Sequence, residues 1–286
     1  MLKQVENKSN NHNSIKFDNL SLGINVFNIA EKEYYKKLGI DFSKFNYALF
    51  IDGDNQRAYV LKRNSDANYE HQKISNDKGQ QFDYFRISSA LLGFSPIKIN
   101  GSTPTGFFIA SLNPKEGALI NPGKSVGNSL ETRSMWSYYL PLYGKEEENK
   151  GTQTRSIGLH GSSLYQSVAK QNPESHGCIR FFAKGTRIEK TQYKDEPKIE
   201  DLLQYLTNGR IPVFIFVSKK ERVNKQVRNL YSYLPKLSTE IVNKALQTQQ
   251  FQQTEQLSNS TLIVKPTKAN KTSELNIPVQ IPEEIK

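Results

Sequence analysis

The 286-residue chain has one cysteine, Cys178, one tryptophan, Trp136, and two methionines. A single cysteine excludes any disulfide within the chain and leaves the redox compartment open. Long hydrophobic runs are also missing. The most apolar stretch, Ile211-Pro212-Val213-Phe214-Ile215-Phe216-Val217, is seven residues long, against the roughly 20 needed to cross a bilayer. Residues 1–13 are polar and Asn-rich with no apolar segment of signal-peptide type, so no secretory signal is visible. No Arg-rich block exists either. Lys and Arg total 39 against 28 acidic residues, a formal charge of +11, but the positives are scattered along the chain. That balance favours anionic partners such as nucleic acid, a lipid surface or an anionic wall polymer, without choosing among them. Lacking a basic element, the sequence gives no reason to expect nucleic acid.

What is present suits a globular protein with polar extensions: 36% hydrophobic and 10% aromatic residues, with ample chain for a core. Residues 1–14 read as unordered. Leu22, Val26, Ile29, Ala30, Tyr34 and Leu38 recur at helical spacing, and Gly39 stands where a C-cap belongs. Tyr47-Ala48-Leu49-Phe50-Ile51 and Arg57-Ala58-Tyr59-Val60-Leu61 flank a polar turn and predict a hairpin. Further strands are predicted at 83–90, 106–110, 135–140, 156–160, 179–182 and 211–217, and a helix at 199–206 stopped by Asn208-Gly209. Residues 113–134 read as a long functional loop, and 145–150 as a charged surface turn. Val223, Val227, Leu230 and Leu234 suit one helix, Pro235 breaks it, and residues 237–246 suit a second. From 247 onward the Gln-, Thr-, Asn- and Lys-rich chain reads as a weakly ordered linker or interaction arm. The expected architecture is mainly β (a β-rich α+β fold): a catalytic domain over 43–220, preceded by a polar segment and packed helix (1–42) and followed by an extension (221–286).

The chemistry concentrates in Leu159-His160-Gly161 and Ser175-His176-Gly177-Cys178-Ile179-Arg180. Cysteine attacks as a thiolate, which its ordinary pKa of about 8.5 leaves scarce at neutral pH, so a nearby imidazole is needed to take the proton. His176, two residues before Cys178, would share its face on extended backbone. His160, on a separate predicted strand, could approach from the side. Gly161 and Gly177 leave backbone uncovered where N–H groups could form an oxyanion hole. Two other readings stand beside this one. Cys178 could be a small buried hydrophobe in a non-catalytic basic binding module. His160, His176 and Cys178 could also form a three-ligand metal site, although no supporting carboxylate lies nearby in sequence. Trp136 is either a core aromatic or part of a substrate groove.

The pattern of a histidine, fourteen intervening residues and Ser-His-Gly-Cys-Ile-Arg resembles the signature of the L,D-transpeptidase catalytic-domain family, enzymes that modify bacterial peptidoglycan. Thr103-Pro104-Thr105-Gly106-Phe107-Phe108 is similar to the family's Thr-Pro-x-Gly-x-Phe segment, and residues 199–217 to its closing helix, turn and strand. The resemblance covers about residues 45–220. It implies a β-sandwich or barrel with flanking helices, and a location in the cell envelope. It implies Cys178 as nucleophile on a tetrapeptide stem, expelling D-Ala, and His160 as base, oriented by the Gly161 carbonyl. Backbone around Gly177 and Cys178 would hold the oxyanion. Ser175 and His176 would shape the pocket, and Arg180 would either grip a substrate carboxylate or form a structural ion pair. Transfer to an amine gives a cross-link; transfer to water would make an L,D-carboxypeptidase or a delivered wall-modifying effector. No metal or organic cofactor is implied. Peptidoglycan stems are the implied partner, with a wall or protein contact for the C-terminal tail.

Overall fold

The computed structural model describes residues 19–90, 93–95, 101–112, 135–218 and 234–261. The segments expected at 1–14, 113–134 and 223–233 lie outside these residues. The chain divides into a unit of residues Met1–Gln249 and a second of Gln250–Lys286. The second is described only through the helical residues that end at Thr261.

The strands in chain order are β1 (Tyr47–Asp52), β2 (Arg57–Arg63), β3 (Tyr69–Gln72), β4 (Ile74–Ser75), β5 (Gln81–Phe82), β6 (Phe85–Ser88), β7 (Gly106–Ser111), β8 (Met135–Gly144), β9 (Gly158–Ser162), β10 (Ile179–Phe181) and β11 (Arg210–Phe216). The main sheet runs β1-β11-β7-β8-β9-β10-β6-β2-β3, and β1 also pairs with β2. Eight strands therefore close into a barrel, with β3 appended to β2; β4 and β5 form a separate small ladder. Closure chooses the barrel from the two architectures anticipated. Most neighbours are antiparallel, but β1 runs parallel to β11 and β9 parallel to β10.

Alternation along the strands builds two cores from one sheet. Leu49, Ile51, Ala58, Val60, Phe108, Ala110, Val213 and Ile215 point into the barrel. Ala48, Phe50, Tyr59, Leu61, Phe107, Phe214 and Phe216 point outward into a second apolar layer. Helix α1 (Asn19–Ile29) covers that layer with Leu22, Val26 and Phe27, and continues through a π turn (Ala30–Tyr34) into α2 (Tyr35–Leu38). Gly39 closes it in the left-handed conformation, φ +60°. Phe27 meets Phe107 edge-on at 5.8 Å between ring centroids, and Phe107 lies 4.6 Å from Phe214. Strands buried on both faces must be apolar at consecutive positions, which is why 211–217 reads as an unbroken run.

Three further α-helices are described: the short α3 (Tyr165–Ala169) and α4 (Ile199–Leu202) and the long α5 (Lys236–Thr261). α5 extends the helix expected at 237–246 as far as Thr261, so residues 247–261 are helical where weak order was expected, and 262–286 lie outside the described residues. Ile241, Val242 and Ala245 anchor its start in the outer layer, and glutamine, a good helix former, carries it onward. The charged turn expected at 145–150 is also corrected. Glu146 and Asn149 are buried, and a 3-10 segment spans Glu147–Arg155. Glu146 accepts hydrogen bonds from the Phe107 N–H (2.8 Å), the Ser238 N–H (2.7 Å) and the Ser238 hydroxyl (2.8 Å), so one carboxylate joins β7 to the first turn of α5. Burial pushes this carboxyl above the usual range, against those three donors. Glu146→Ala leaves buried donors unmet and is expected to cost about 3 kcal/mol. Glu148→Ala, which removes only an exposed acceptor of the Lys236 N–H, should cost less than about 1 kcal/mol. Equilibrium denaturation of the two variants distinguishes them.

Candidate active site

The half of the barrel formed by β8, β9 and β10 carries the sequence-predicted site. Leu159 pairs with Ile179, His160 with Arg180 and Gly161 with Phe181. On the other side of β9, Leu140 pairs with Leu159 and Tyr139 with His160. Leu140, Leu159, Ile179 and Phe181 belong to the barrel core. Alternation therefore sets Tyr139, His160 and Arg180 side by side on the opposite face. Cys178 immediately precedes β10.

His160 is buried, and its Nδ1 lies 2.7 Å from the Gly161 carbonyl. A carbonyl can only accept, so Nδ1 carries the hydrogen and Nε2 of the neutral ring is the open lone pair. Burial pushes its pKa down to about 4; the Gly161 bond opposes this, and the Arg180 charge adds to it. The imidazole is thus neutral at physiological pH. Its neighbour Gly161 permits close packing: a Cβ there would lie 2.3 Å from the Trp136 carbonyl and 2.6 Å from Ala183 Cβ.

Cys178 is buried at 9% exposure, and its thiol donates to the Ser156 carbonyl at 3.6 Å. The segment before it is not extended. The Ser175 hydroxyl donates to the Cys178 carbonyl (2.6 Å) and accepts from the Gly177 N–H (3.2 Å), folding the backbone around Ser175. Gly177 has φ +126°. His176 accordingly faces solvent while Cys178 is buried, so the shared face of an extended strand does not arise.

Arg180 is buried at 7% exposure and donates from Nη1 to the Glu174 carbonyl at 3.1 Å, a backbone acceptor and not a carboxylate. Trp136 is half-buried against the barrel core, and its indole N–H donates to the Lys184 carbonyl at 2.9 Å. Between Trp136 and Tyr139 the β8–β9 register shifts, with Ser137 at φ +68° and its hydroxyl bonded to Glu200. Such a bulge re-aims the following side chain, here Tyr139, whose ring centroid lies 6.5 Å from that of His160.

Three neighbours were not evident from sequence. Arg155, at the end of the 3-10 segment, donates from Nη2 to the Ser102 carbonyl at 3.0 Å. Tyr139 has its phenol pushed up by burial, with the Cys178 charge acting in the same direction. Ser102 lies beside Gly177, its carbonyl 2.8 Å from where a Cβ would stand. The buried side-chain atoms Ser102 Oγ, Tyr139 Oη and Arg180 Nε have no hydrogen-bond partner. Buried polar groups are almost always satisfied, so their clustering around Cys178 suits a polar ligand. No local spacing links these residues, which come from three separate parts of the chain. Among the described residues, no group of three or more His, Cys, Asp or Glu is placed to hold a metal ion. What remains is a thiol, a neutral imidazole of defined tautomer and two guanidiniums, a set suited to nucleophilic acyl transfer.

Solved structures of L,D-transpeptidases are among those to which this chain is similar. One from Xylanimonas cellulosilytica shares 15% identity over 60% of this chain and 61% of its own, with a TM-score of 0.28. One from Mycobacterium tuberculosis shares 14% over 60% and 58%, TM-score 0.31, and one from Stackebrandtia nassauensis 14% over 68% and 77%, TM-score 0.31. The chain spans about three fifths of the length of the first two. No family model and no curated protein matches the sequence. The fold is therefore defined by the chain's own strand pairing.

Proposed function

We propose that the chain is a peptidoglycan L,D-transpeptidase of the cell envelope, its catalytic unit being residues 43–220. The observation that carries this reading is the register of β9 against β10. It sets a buried His160, pinned at Nδ1 by Gly161, opposite Arg180, two residues beyond the only cysteine. In the first half-reaction Cys178 Sγ bonds to the carbonyl carbon of the L-centre in a tetrapeptide stem, and the thiol proton passes to His160 Nε2. The bond to the terminal D-Ala nitrogen breaks, and that amine leaves with the proton from His160. In the second, an acceptor amine bonds to the thioester carbon and gives a proton to His160; the C–S bond breaks, and the departing sulfur takes that proton back from His160. The backbone N–H of Cys178 would meet the oxyanion. Arg180, Ser175, His176 and Trp136 would line the stem, no cofactor takes part, and the 221–286 extension would contact the wall or a protein partner. Among the described residues no helix is long and apolar enough to cross a membrane.

The test is incubation with purified disaccharide-tetrapeptides and mass spectrometry of the products. Cross-linked dimers that vanish in Cys178→Ala are the expected result. Tripeptide alone would make the protein a carboxypeptidase, and unchanged stems would overturn acyl transfer altogether.

A further inference from the structure

If Cys178 is the nucleophile, its thiolate needs a positive neighbour, and His160 does not supply one. The imidazole stays neutral down to about pH 4, held so first by burial and also by the Arg180 charge. A neutral base can accept the thiol proton during attack, but it gives no standing charge to an ionised sulfur. Two cations feel the Cys178 charge: Arg155 and Arg180, each with its ordinary proton affinity reduced by burial and partly restored by Cys178. The other titratable groups nearby are Tyr139 from β8, which repels a thiolate if ionised, and Glu174, which acts on Arg180.

The two guanidiniums are not equivalent. Arg180 is committed to the Glu174 carbonyl and already acts on His160. Arg155 is seated against the peptide that leads into the nucleophile. Its Nη2 lies 3.1 Å from the point where a Cβ on Gly177 would stand, and Ser102 holds it there through a 3.0 Å bond. The residue after it, Ser156, supplies the carbonyl that takes the resting thiol's hydrogen bond. One short turn thus offers the thiol an acceptor from Ser156 and the thiolate a cation from Arg155.

We propose that Arg155 is the positioning cation that sustains the Cys178 thiolate, while His160 acts as a neutral base. The proposal rests on the acyl-transfer reading above and deepens it. With Cys178 the only thiol in the chain, alkylation by iodoacetamide reports on it alone. The rate is followed by mass spectrometry of the intact protein from pH 5 to 10. The wild-type midpoint should fall below the ordinary thiol value of about 8.5, and Arg155→Gln should raise it by about one unit, the effect of removing one nearby opposite charge. Arg155→Lys, which keeps the charge, should return close to the wild-type midpoint. A Gln variant with an unmoved midpoint overturns the role of Arg155, as does a Lys variant displaced as far as Gln, which would make the effect one of packing. Should the Gln variant not fold, Arg155→Met replaces it under the same criteria. A wild-type thiol that resists alkylation throughout the range would instead overturn Cys178 as nucleophile, so the two failures are separable.

Discussion

His160→Ala is expected to lower the rate of Cys178 acylation by a carbapenem roughly 10²- to 10⁴-fold, the range lost if His160 is the general base. The assay is mass spectrometry of the covalent adduct over time, and a variant that acylates at the wild-type rate would remove His160 from the mechanism. The same residue has a thermodynamic signature that does not depend on substrate. Its folded pKa of about 4 lies below the ordinary 6.5, so on acidification the unfolded chain takes up the proton first. The stability tied to the neutral ring is fully present above pH 6.5 and is withdrawn as pH falls from 6.5 to 4, by about 3 kcal/mol. Glu146 and Asp52 act in the opposite sense, since burial raises both carboxyls and the folded state then gains as they protonate. Comparing wild type with His160→Gln cancels those carboxyls. The stability gap between the two proteins should narrow from pH 7 to pH 4, and a gap independent of pH would mean that the ring is not held neutral by the fold.

Gly177→Ala is expected to damage both the fold and the thiol. At φ +126° an L side chain is strained, and the new Cβ would lie 2.4 Å from Ile157 Cδ1 and 2.8 Å from the Ser102 carbonyl. The isoleucine tip can move, but the carbonyl is backbone and also holds Arg155. Strain and overpacking together are set at about 3 kcal/mol, a fall in melting temperature of roughly 6–12 °C for a domain of this size. Whatever relieves the clash must shift Ser102 or the Cys178 peptide. The alkylation midpoint of Cys178 should then rise as it does in Arg155→Gln. A Gly177→Ala protein that melts within about 1 °C of wild type would show that the loop yields easily.

Much of the barrel could be read from periodicity because its strands bury one or both faces. The runs around Tyr47–Asp52 and Arg210–Phe216 are apolar for that reason, and Gly39 ends the first helix as its spacing suggests. The misreadings share a physical cause. Glu146 is a carboxyl group yet buried, satisfied by Phe107 and Ser238, which lie 39 and 92 residues away, so no local pattern announces its burial. The glutamines after Leu246 are polar but helix-forming, so composition alone mistakes the helical stretch to Thr261 for a loose tail. At the site, His160 and Cys178 stand out by residue type and spacing. Arg155, Ser102 and Tyr139 do not, since they meet only through the pairing of distant strands. The bend at Gly177 likewise defeated the extended-strand geometry that would have set His176 beside the thiol.

The closure of the barrel also governs how the chain reaches its folded state. The seam pairs Leu49 with Val213 and Phe50 with Phe214, partners at opposite ends of the barrel sequence, and β10 pairs back to β6 through Arg180 and Ser88. Non-local ladders of this kind close late and make folding slow. Until they form, the 155–156 turn and the loop around Ser175 have no frame, and Cys178 stays an ordinary exposed thiol. A chain with a second cysteine would risk trapping itself in that interval by an internal disulfide under oxidising conditions. With one cysteine it has no such trap, and Cys178 reaches its buried setting only when the last strand is in place.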